Sequence, residues 1–157
     1  MKKIRAYFFI ICCWSSLIAQ DWQTLPSFPG VARDDAAGFV IGDELFIGSG
    51  LSPWWSALAD FYRYESATNQ WISAASLPSG AERQYAAGFT LNASGFVFGG
   101  YNGSDYLNDM WRYDPSSDAW LISDSLPSFG RSGSASFVLN DRLYLVGGKH
   151  VLGAATD

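Results

Sequence analysis

A pattern of about fifty residues recurs along this chain and limits its possible folds more than any other feature. The best preserved stretch of the pattern reads AAGFVIGDELFIGSG at 36–50, AAGFTLNASGFVFGG at 86–100 and SASFVLNDRLYLVGG at 134–148. Such a chain is predicted to fold as similar units, each stacked on the next. Further landmarks keep the same spacing: Trp22, Trp71 and Trp120; Leu25-Pro26, Leu77-Pro78 and Leu126-Pro127; and Arg33, Arg83 and Arg131.

Each unit has the pattern of four short strands. The first two segments, such as AAGFVI and ELFIGSG, are rich in aromatic and β-branched residues and are separated by turn formers such as Gly42-Asp43. A third strand is predicted at DFYRYE and DMWRYD, and a fourth at QWISA and AWLIS. Because the first two strands are apolar along their length, neighbouring units should cover both of their faces. The sequence therefore predicts four-stranded antiparallel meanders.

Units of this length that need cover on both faces are predicted to stack radially into a β-propeller. The landmarks also resemble the kelch repeat, with an Arg before the first strand, Gly-Gly after the second, Tyr and an acid in the third and Trp in the fourth. The resemblance covers essentially residues 20–149. It implies an all-β, kelch-type propeller of the galactose oxidase and kelch-like superfamily, of a secreted bacterial type. It does not imply one function, because kelch propellers serve many roles.

The repeats divide the chain into predicted segments. About two and a half blades cannot close a ring, since propellers typically have about four to eight. We therefore expect an incomplete propeller, the N-terminal part of a longer one whose remaining blades follow. The alternative is assembly of several short chains into one ring. The segments are a signal peptide at 1–19, an orphan outer strand at 20–32 that closes the last blade, blades at 33–82 and 83–130, and the inner hairpin of a third blade at 131–157.

The first residues have the pattern of a secretory signal peptide, with Lys2, Lys3 and Arg5 before the apolar run AYFFIICCW and the small-residue stretch SSLIA. The apolar run is too short to span a bilayer, which takes about 20 residues. Cleavage is therefore predicted between Ala19 and Gln20. The expected product is soluble, secreted or periplasmic, and not inserted in a membrane.

Charge and cysteine content narrow the possible partners of the mature chain. Removal of residues 1–19 leaves seven basic and fifteen acidic residues, a net charge of −8, which disfavours nucleic acid as a partner. Cys12 and Cys13 also leave with the signal. The mature chain would then have no disulfide, thiol nucleophile or thiolate metal site. No metal or other cofactor is expected.

One face of the predicted propeller collects the candidate ligand-binding residues. The connection into the first strand and the one between the second and third strands lie on the same face of a meander. Guanidinium groups there could bind carboxylates, and aromatic rings could stack on sugars or peptides. The alternative role of each arginine is to bind carbonyls of the loop between blades. For Trp54 and Trp55 it is packing, and Asp60 and Asp109 are expected to cap turns. The candidates are Arg33, Arg83 and Arg131 near the axis, and Trp54, Trp55, Tyr101 and Tyr106 further out.

The favoured function is an exported, non-catalytic module that binds a protein or glycan through this rim. An alternative is a sugar-modifying enzyme resembling a secreted sialic-acid mutarotase, in which arginines would hold the sugar carboxylate and the missing blades would complete the site. No carboxylate clearly supplies its acid/base group, and no catalytic residue is assigned. A copper radical oxidase resembling galactose oxidase would need several His ligands and a Cys, whereas the mature chain has one histidine, His150, and no cysteine.

Overall fold

The computed structural model describes residues 22–155, which form strands, turns and loops. The predicted signal peptide at 1–19 lies outside these residues. Within them every regular element is a β-strand, as the pattern of apolar runs and turn formers predicts. The strands are β1 (Ala37–Ile41), β2 (Glu44–Gly48), β3 (Phe61–Glu65), β4 (Gln70–Ala74), β5 (Ala87–Leu91), β6 (Ser94–Phe98), β7 (Asp109–Asp114), β8 (Ala119–Ser125), β9 (Ala135–Leu139), β10 (Arg142–Val146), β11 (Lys149–His150) and β12 (Gly153–Ala154).

The strands form two complete blades and the first hairpin of a third. β1 to β4 make one antiparallel sheet in chain order, and β5 to β8 make the second. β9 pairs with β10, and the two-residue strands β11 and β12 form a small hairpin after them. The two-residue turns at Asn92-Ala93 and Asn140-Asp141 have positive φ at both positions, which matches the right-handed twist of the strands they join. The predicted meander is confirmed.

The first strands of successive blades lie side by side at the inner edge, with β1 against β5 and β5 against β9. A Cβ atom at Gly88 would overlap the backbone of Gly38, so β1 and β5 meet backbone to backbone. In the third unit the equivalent residue is Ser136, whose hydroxyl donates to the carbonyl oxygen of Gly88 at 3.2 Å. A small residue at this position thus sets the spacing of the blades.

Aromatic side chains fill the layer between the first two blades. Phe39 packs edge-on against Trp120 at 5.9 Å between ring centroids, and Phe46 lies 5.0 Å from Tyr113. Gly95 leaves the space that the ring of Phe39 occupies, since a Cβ atom there would overlap that ring. The buried core therefore lies between the sheets, as strands apolar on both faces require.

The repeated phrase RYESATNQW and RYDPSSDAW joins each blade to the segment before it. In the second blade the Tyr113 hydroxyl donates to Asp118 at 2.6 Å, and Asp118 also accepts from the Ala75 amide at 2.8 Å. Trp120 Nε1 donates to the carbonyl oxygen of Ala75 at 2.8 Å. Burial and the hydrogen bond to Asp118 raise the pKa of Tyr113. The phrase therefore belongs to the scaffold.

Burial of one repeated phenylalanine changes along the series of blades. Phe39 and Phe89 are 4% and 7% exposed, whereas the equivalent Phe137 is 58% exposed. The first two rings are covered by the blade that follows, with Leu143 and Leu145 packing on the cluster of Phe89. The described residues place no blade on the outer face of the β9–β10 hairpin. That face is apolar and open, and we call it the open blade face.

The predicted outer strand at 20–32 does not form in its described part, residues 22–32. A strand exists through pairing with a neighbour, and no strand between residues 22 and 155 pairs with this segment. It is held by side chains instead: Phe28 packs edge-on against Trp71, and the Pro26 carbonyl accepts from Trp71 Nε1 at 3.0 Å. Trp22 is exposed.

Candidate functional site

The repeated arginines point into the blades. Arg33 forms a bidentate ion pair with Asp60, with N–O distances of 2.8 and 2.7 Å. Arg83 does the same with Asp109 at 2.8 and 2.9 Å. Arg83 also donates to the carbonyl oxygens of Ala81 at 2.9 Å and Gly99 at 3.0 Å. Each guanidinium thus ties the loop entering a blade to the end of the second strand and the start of the third.

This geometry supports the structural alternative for the arginines, and their role in ligand binding stays a prediction. Arg83 and Arg131 are buried, and Arg131 donates to the carbonyl oxygen of Gly147 at 3.3 Å. Asp60 and Asp109, expected as turn caps, are the partners of Arg33 and Arg83. Burial acts to raise the pKa of Asp109, but the hydrogen bond and positive charge of Arg83 outweigh it and hold that pKa below its ordinary value.

The residue after each arginine connects to the base of the hairpin that joins the second and third strands. In the second blade Gln84 N donates to Tyr101 O at 3.0 Å and Tyr101 N donates to Gln84 O at 2.8 Å. The third unit repeats this exchange between Ser132 and Lys149. The geometry is the same in each unit while the side chain differs. The three pairs are Asp34 with Leu51, Gln84 with Tyr101, and Ser132 with Lys149.

The next residue along takes a left-handed conformation beside the inner edge of the sheets. Asp35, Tyr85 and Gly133 have φ values of 54°, 56° and 66°. Their backbones are joined from blade to blade, because Tyr85 N donates to Asp35 O at 3.1 Å and Gly133 N donates to Tyr85 O at 2.8 Å. Here too the backbone repeats and the side chain varies. The loops therefore form a continuous rim with exchangeable side chains.

Three hairpins stand around this rim. The first spans residues 51–57, with Trp54 and Trp55 exposed at its tip and a φ of 61° at Trp55. In the second the rings of Tyr101 and Tyr106 are 5.2 Å apart. The third is β11–β12, whose tip exposes Val151 and Leu152. The tips differ in sequence although their positions in the blades are equivalent.

A cleft of about 780 Å³ lies between these hairpins, and we call it the rim cleft. It brings together three of the predicted aromatic residues, Trp55, Tyr101 and Tyr106. Trp54 does not line it and faces solvent at the hairpin tip. In the described part of the chain, Lys149 is the only charged residue that lines the rim cleft. The full lining is Leu51, Trp55, Gln84, Tyr85, Tyr101, Tyr106, Ser132, Gly133, Gly148 and Lys149.

Asp35 and Tyr85 are coupled beside the cleft. Burial raises the pKa of Asp35. The hydrogen bond to Asp35 and the negative charge of that carboxylate raise the pKa of Tyr85. The Tyr85 hydroxyl therefore keeps its proton. Tyr85 is among the residues that line the rim cleft.

Comparison with known families agrees with the blade geometry. The Kelch motif matches residues 96–126, which run from β6 to the end of β8 in the second blade. The chain thus carries a kelch repeat, and its fold is that of a kelch-type β-propeller. This kelch-repeat chain is also 31% identical over 99 residues to a "Kelch domain-containing protein" of Vibrio cholerae serotype O1 (strain ATCC 39315 / El Tor Inaba N16961), an alignment that covers 55% of this chain and 26% of the relative.

A solved structure described as "Structure of YjhT" resembles the fold with a TM-score of 0.73 at 22% sequence identity. The match covers 84% of this kelch-repeat chain and 49% of that chain. The kelch-repeat chain thus spans about a quarter of the curated relative and about half of the solved structure. At this level of identity the structural likeness concerns the fold.

Two further properties concern the described part of the kelch-repeat chain. Residues 22–155 contain no helix long and apolar enough to cross a membrane. The same stretch has no group of three or more His, Cys, Asp or Glu residues arranged to hold a metal ion.

The prediction from sequence missed Gln84, Tyr85, Ser132 and Lys149 as rim residues of the kelch-repeat chain. A signal for the first three was present, since they follow the repeated arginines directly at positions where the side chain changes from unit to unit. Positions that are identical in every unit maintain the common fold. A position whose side chain differs between units is not needed for that fold and can contact a ligand.

Proposed function

We propose that this kelch-repeat chain is an exported, non-catalytic binding module that recognises a protein or glycan through the rim formed by its inter-blade loops. The observation that carries the proposal is that repeated residues hold the rim loops in place, whereas variable side chains are presented between them. Repeated residues such as Arg83 and Asp109 hold the loops. The side chains presented between those loops, such as Gln84 and Tyr85, differ in every unit.

The lining of the rim cleft supports binding. It consists of aromatic rings, neutral hydrogen-bonding groups and the ammonium group of Lys149. Aromatic rings supply large contact areas at a low cost in conformational entropy, which suits reversible recognition. The rim has the shape and chemistry of a contact surface.

The enzyme alternative, a sugar-modifying enzyme resembling a sialic-acid mutarotase, is less well supported. It relied on repeated arginines to hold a sugar carboxylate. Arg33 and Arg83 already bind the carboxylates of Asp60 and Asp109 in bidentate geometry. A substrate carboxylate would have to displace these internal partners, so a binding module is the better proposal.

The signal-peptide pattern at 1–19 supports export of the module to the periplasm or the medium. We also propose that further blades of a longer chain cover the open blade face. The support is internal to the repeat, since Phe39 and Phe89 are buried by a following blade where Phe137 is open.

Two immobilised arrays, one of glycans and one of peptides, test the binding function. The protein should be retained by members of one array. We expect Trp55→Ala and Tyr106→Ala to reduce retention at least tenfold, because both rings line the rim cleft. Trp22→Ala is the matched control, since Trp22 is exposed and does not line the cleft.

Retention that is the same in all four proteins would contradict binding at the rim. Absence of retention by either array would contradict the binding function. Circular dichroism of each variant establishes that the fold is unchanged.

A further inference from the structure

We propose that the rim cleft binds a neutral saccharide, with Gln84 and Ser132 as its hydrogen-bonding groups. This inference rests on the proposed binding function and narrows its ligand to one chemical class. It depends on two polar residues that the predicted site did not contain.

Gln84 and Ser132 are buried polar residues without partners for their side chains. They are 8% and 7% exposed, and both line the cleft. Between residues 22 and 155, neither the side-chain amide of Gln84 nor the hydroxyl of Ser132 has a hydrogen-bond partner, and neither group is sealed from solvent. Water can therefore hydrate both groups, and a ligand that displaces this water must offer hydrogen-bonding groups of its own, because leaving either group unpaired would cost about 1–3 kcal/mol. A bound ligand would supply the missing partners.

The chemistry of these groups suits hydroxyls. The Gln84 amide offers both a donor and an acceptor, and the Ser132 hydroxyl can act as either. A sugar hydroxyl likewise donates and accepts. Neighbouring hydroxyls on one sugar ring could therefore satisfy both side chains without introducing a charge into the cleft.

The aromatic residues offer ring faces more than hydroxyl donors. The Tyr101 hydroxyl donates to the carbonyl oxygen of Gly103 at 2.8 Å, so this residue offers mainly its ring face to a ligand. A proline-rich peptide is recognised in aromatic grooves that also bind its backbone carbonyls. A sugar can instead stack its apolar C–H face on the rings while its hydroxyls bind Gln84 and Ser132. The ring faces that lie beside Gln84 and Ser132 in the cleft favour the sugar.

The negative net charge of the chain disfavours an acidic polysaccharide at long range, although the single charge that lines the cleft is positive. Lys149 is the one charged residue that lines the described cleft. The whole chain carries a formal net charge of −5, so an acidic polysaccharide would be repelled at long range. A neutral chain of sugars meets no such barrier.

Calorimetric titration with cellohexaose, maltohexaose, mannohexaose and xylohexaose tests the inference, with a decaproline peptide as the competing class. We expect at least one hexasaccharide to bind. Gln84→Met keeps the length of the side chain and removes its amide, and Ser132→Ala removes the hydroxyl. Each should weaken binding about tenfold, the effect of losing roughly one well-made hydrogen bond.

The matched controls are Gln70→Met and Ser73→Ala, which make the same changes at exposed positions of β4. They should leave the affinity unchanged. Urea unfolding of each variant separates loss of binding from loss of fold.

Each of the remaining outcomes would contradict one or both of the two proposals, the saccharide ligand and the binding function. Binding of a hexasaccharide that is unaffected by Gln84→Met and Ser132→Ala overturns the assignment to the rim cleft. Binding of decaproline or an array peptide alone, lost with Trp55→Ala, overturns the saccharide and leaves the binding function standing. Binding of no saccharide and no peptide overturns both proposals.

Discussion

At the scale of single residues, the repeated arginines bind carboxylate and carbonyl oxygens of the blades themselves. Arg83 is buried and meets four oxygen atoms: both of the Asp109 carboxylate and the carbonyls of Ala81 and Gly99. A planar guanidinium suits this set because its donors lie in a fixed fork. The arginine recurs because every unit needs the same link between its entry loop and its second and third strands.

Loss of Arg83 should therefore destabilise the protein. Arg83→Ala leaves Asp109 and two carbonyls without their partner, and breaking a buried ion pair costs about 3–5 kcal/mol. Because Asp109 retains some solvent access, we expect a loss near the lower end of that range, about 3 kcal/mol. Urea unfolding measures it.

Arg142→Ala in β10 is the control, because Arg142 is exposed. Its effect should stay within about 0.5 kcal/mol. Equal losses for the two variants would contradict the structural role of Arg83.

At the scale of elements, close approach of the inner strands determines how the blades stack. β1 and β5 meet at Gly38 and Gly88, and the two positions differ in what a side chain would encounter. A Cβ atom at Gly88 would overlap the backbone of Gly38, whereas one at Gly38 would lie 3.3 Å from the carbonyl oxygen of Phe46. The inter-blade spacing thus depends more on Gly88.

Gly88→Ala should push β1 and β5 apart. We expect it to lower the free energy of unfolding by about 1–3 kcal/mol, the usual cost of overpacking. Gly38→Ala makes the same chemical change and should cost clearly less. Chemical denaturation compares the two, and a larger loss at Gly38 would contradict this account of blade stacking.

At the scale of the whole molecule, the structure is a series in which each blade covers the one before it. Phe39 and Phe89 lie under a following blade, and the equivalent Phe137 lies on the open blade face. The three positions have the same residue in the same strand register. The exposed fraction of each of these phenylalanines therefore shows whether a following blade covers its ring.

Replacing these phenylalanines with alanine in the 157-residue chain should give unequal losses. We expect Phe89→Ala to cost about 3–5 kcal/mol, as is usual for a buried ring. Phe137→Ala should cost about 1 kcal/mol or less, because its ring is more than half exposed.

Unfolding curves measure both losses, and sedimentation at several concentrations serves as the control for self-association. Equal losses at a concentration where the protein is monomeric would contradict an open face at Phe137.

The repeat made most of the fold predictable from sequence. Strand positions, turns and blade order follow from apolar runs of fixed spacing, because those patterns directly reflect which faces are buried. The outer strand at 20–32 stays a prediction, because residues 22–32 have no strand partner among the described residues and a lone strand does not form without one. Trp71 and Pro26 hold that segment by side-chain contacts instead.

The candidate site was predictable in location but not in side-chain direction. Trp55, Tyr101 and Tyr106 lie at the rim as expected, and their part in binding stays a prediction. The sequence places an arginine in a loop but does not say which way it points. The recurring spacing of Arg33 to Asp60 and Arg83 to Asp109, 27 and 26 residues, was the available signal.

The central claim is that the variable side chains of the rim meet the ligand while the rest of each blade is scaffold. Hydrogen exchange measured by mass spectrometry, with and without the array member that the protein retains, tests it most directly. Binding should slow exchange in the rim segments, which are 51–57, 84–85, 101–106, 132–133 and 148–150. Exchange should be unchanged in the turns on the opposite face, at 42–43, 66–69, 92–93, 115–118 and 140–141. Protection confined to those turns would contradict the account.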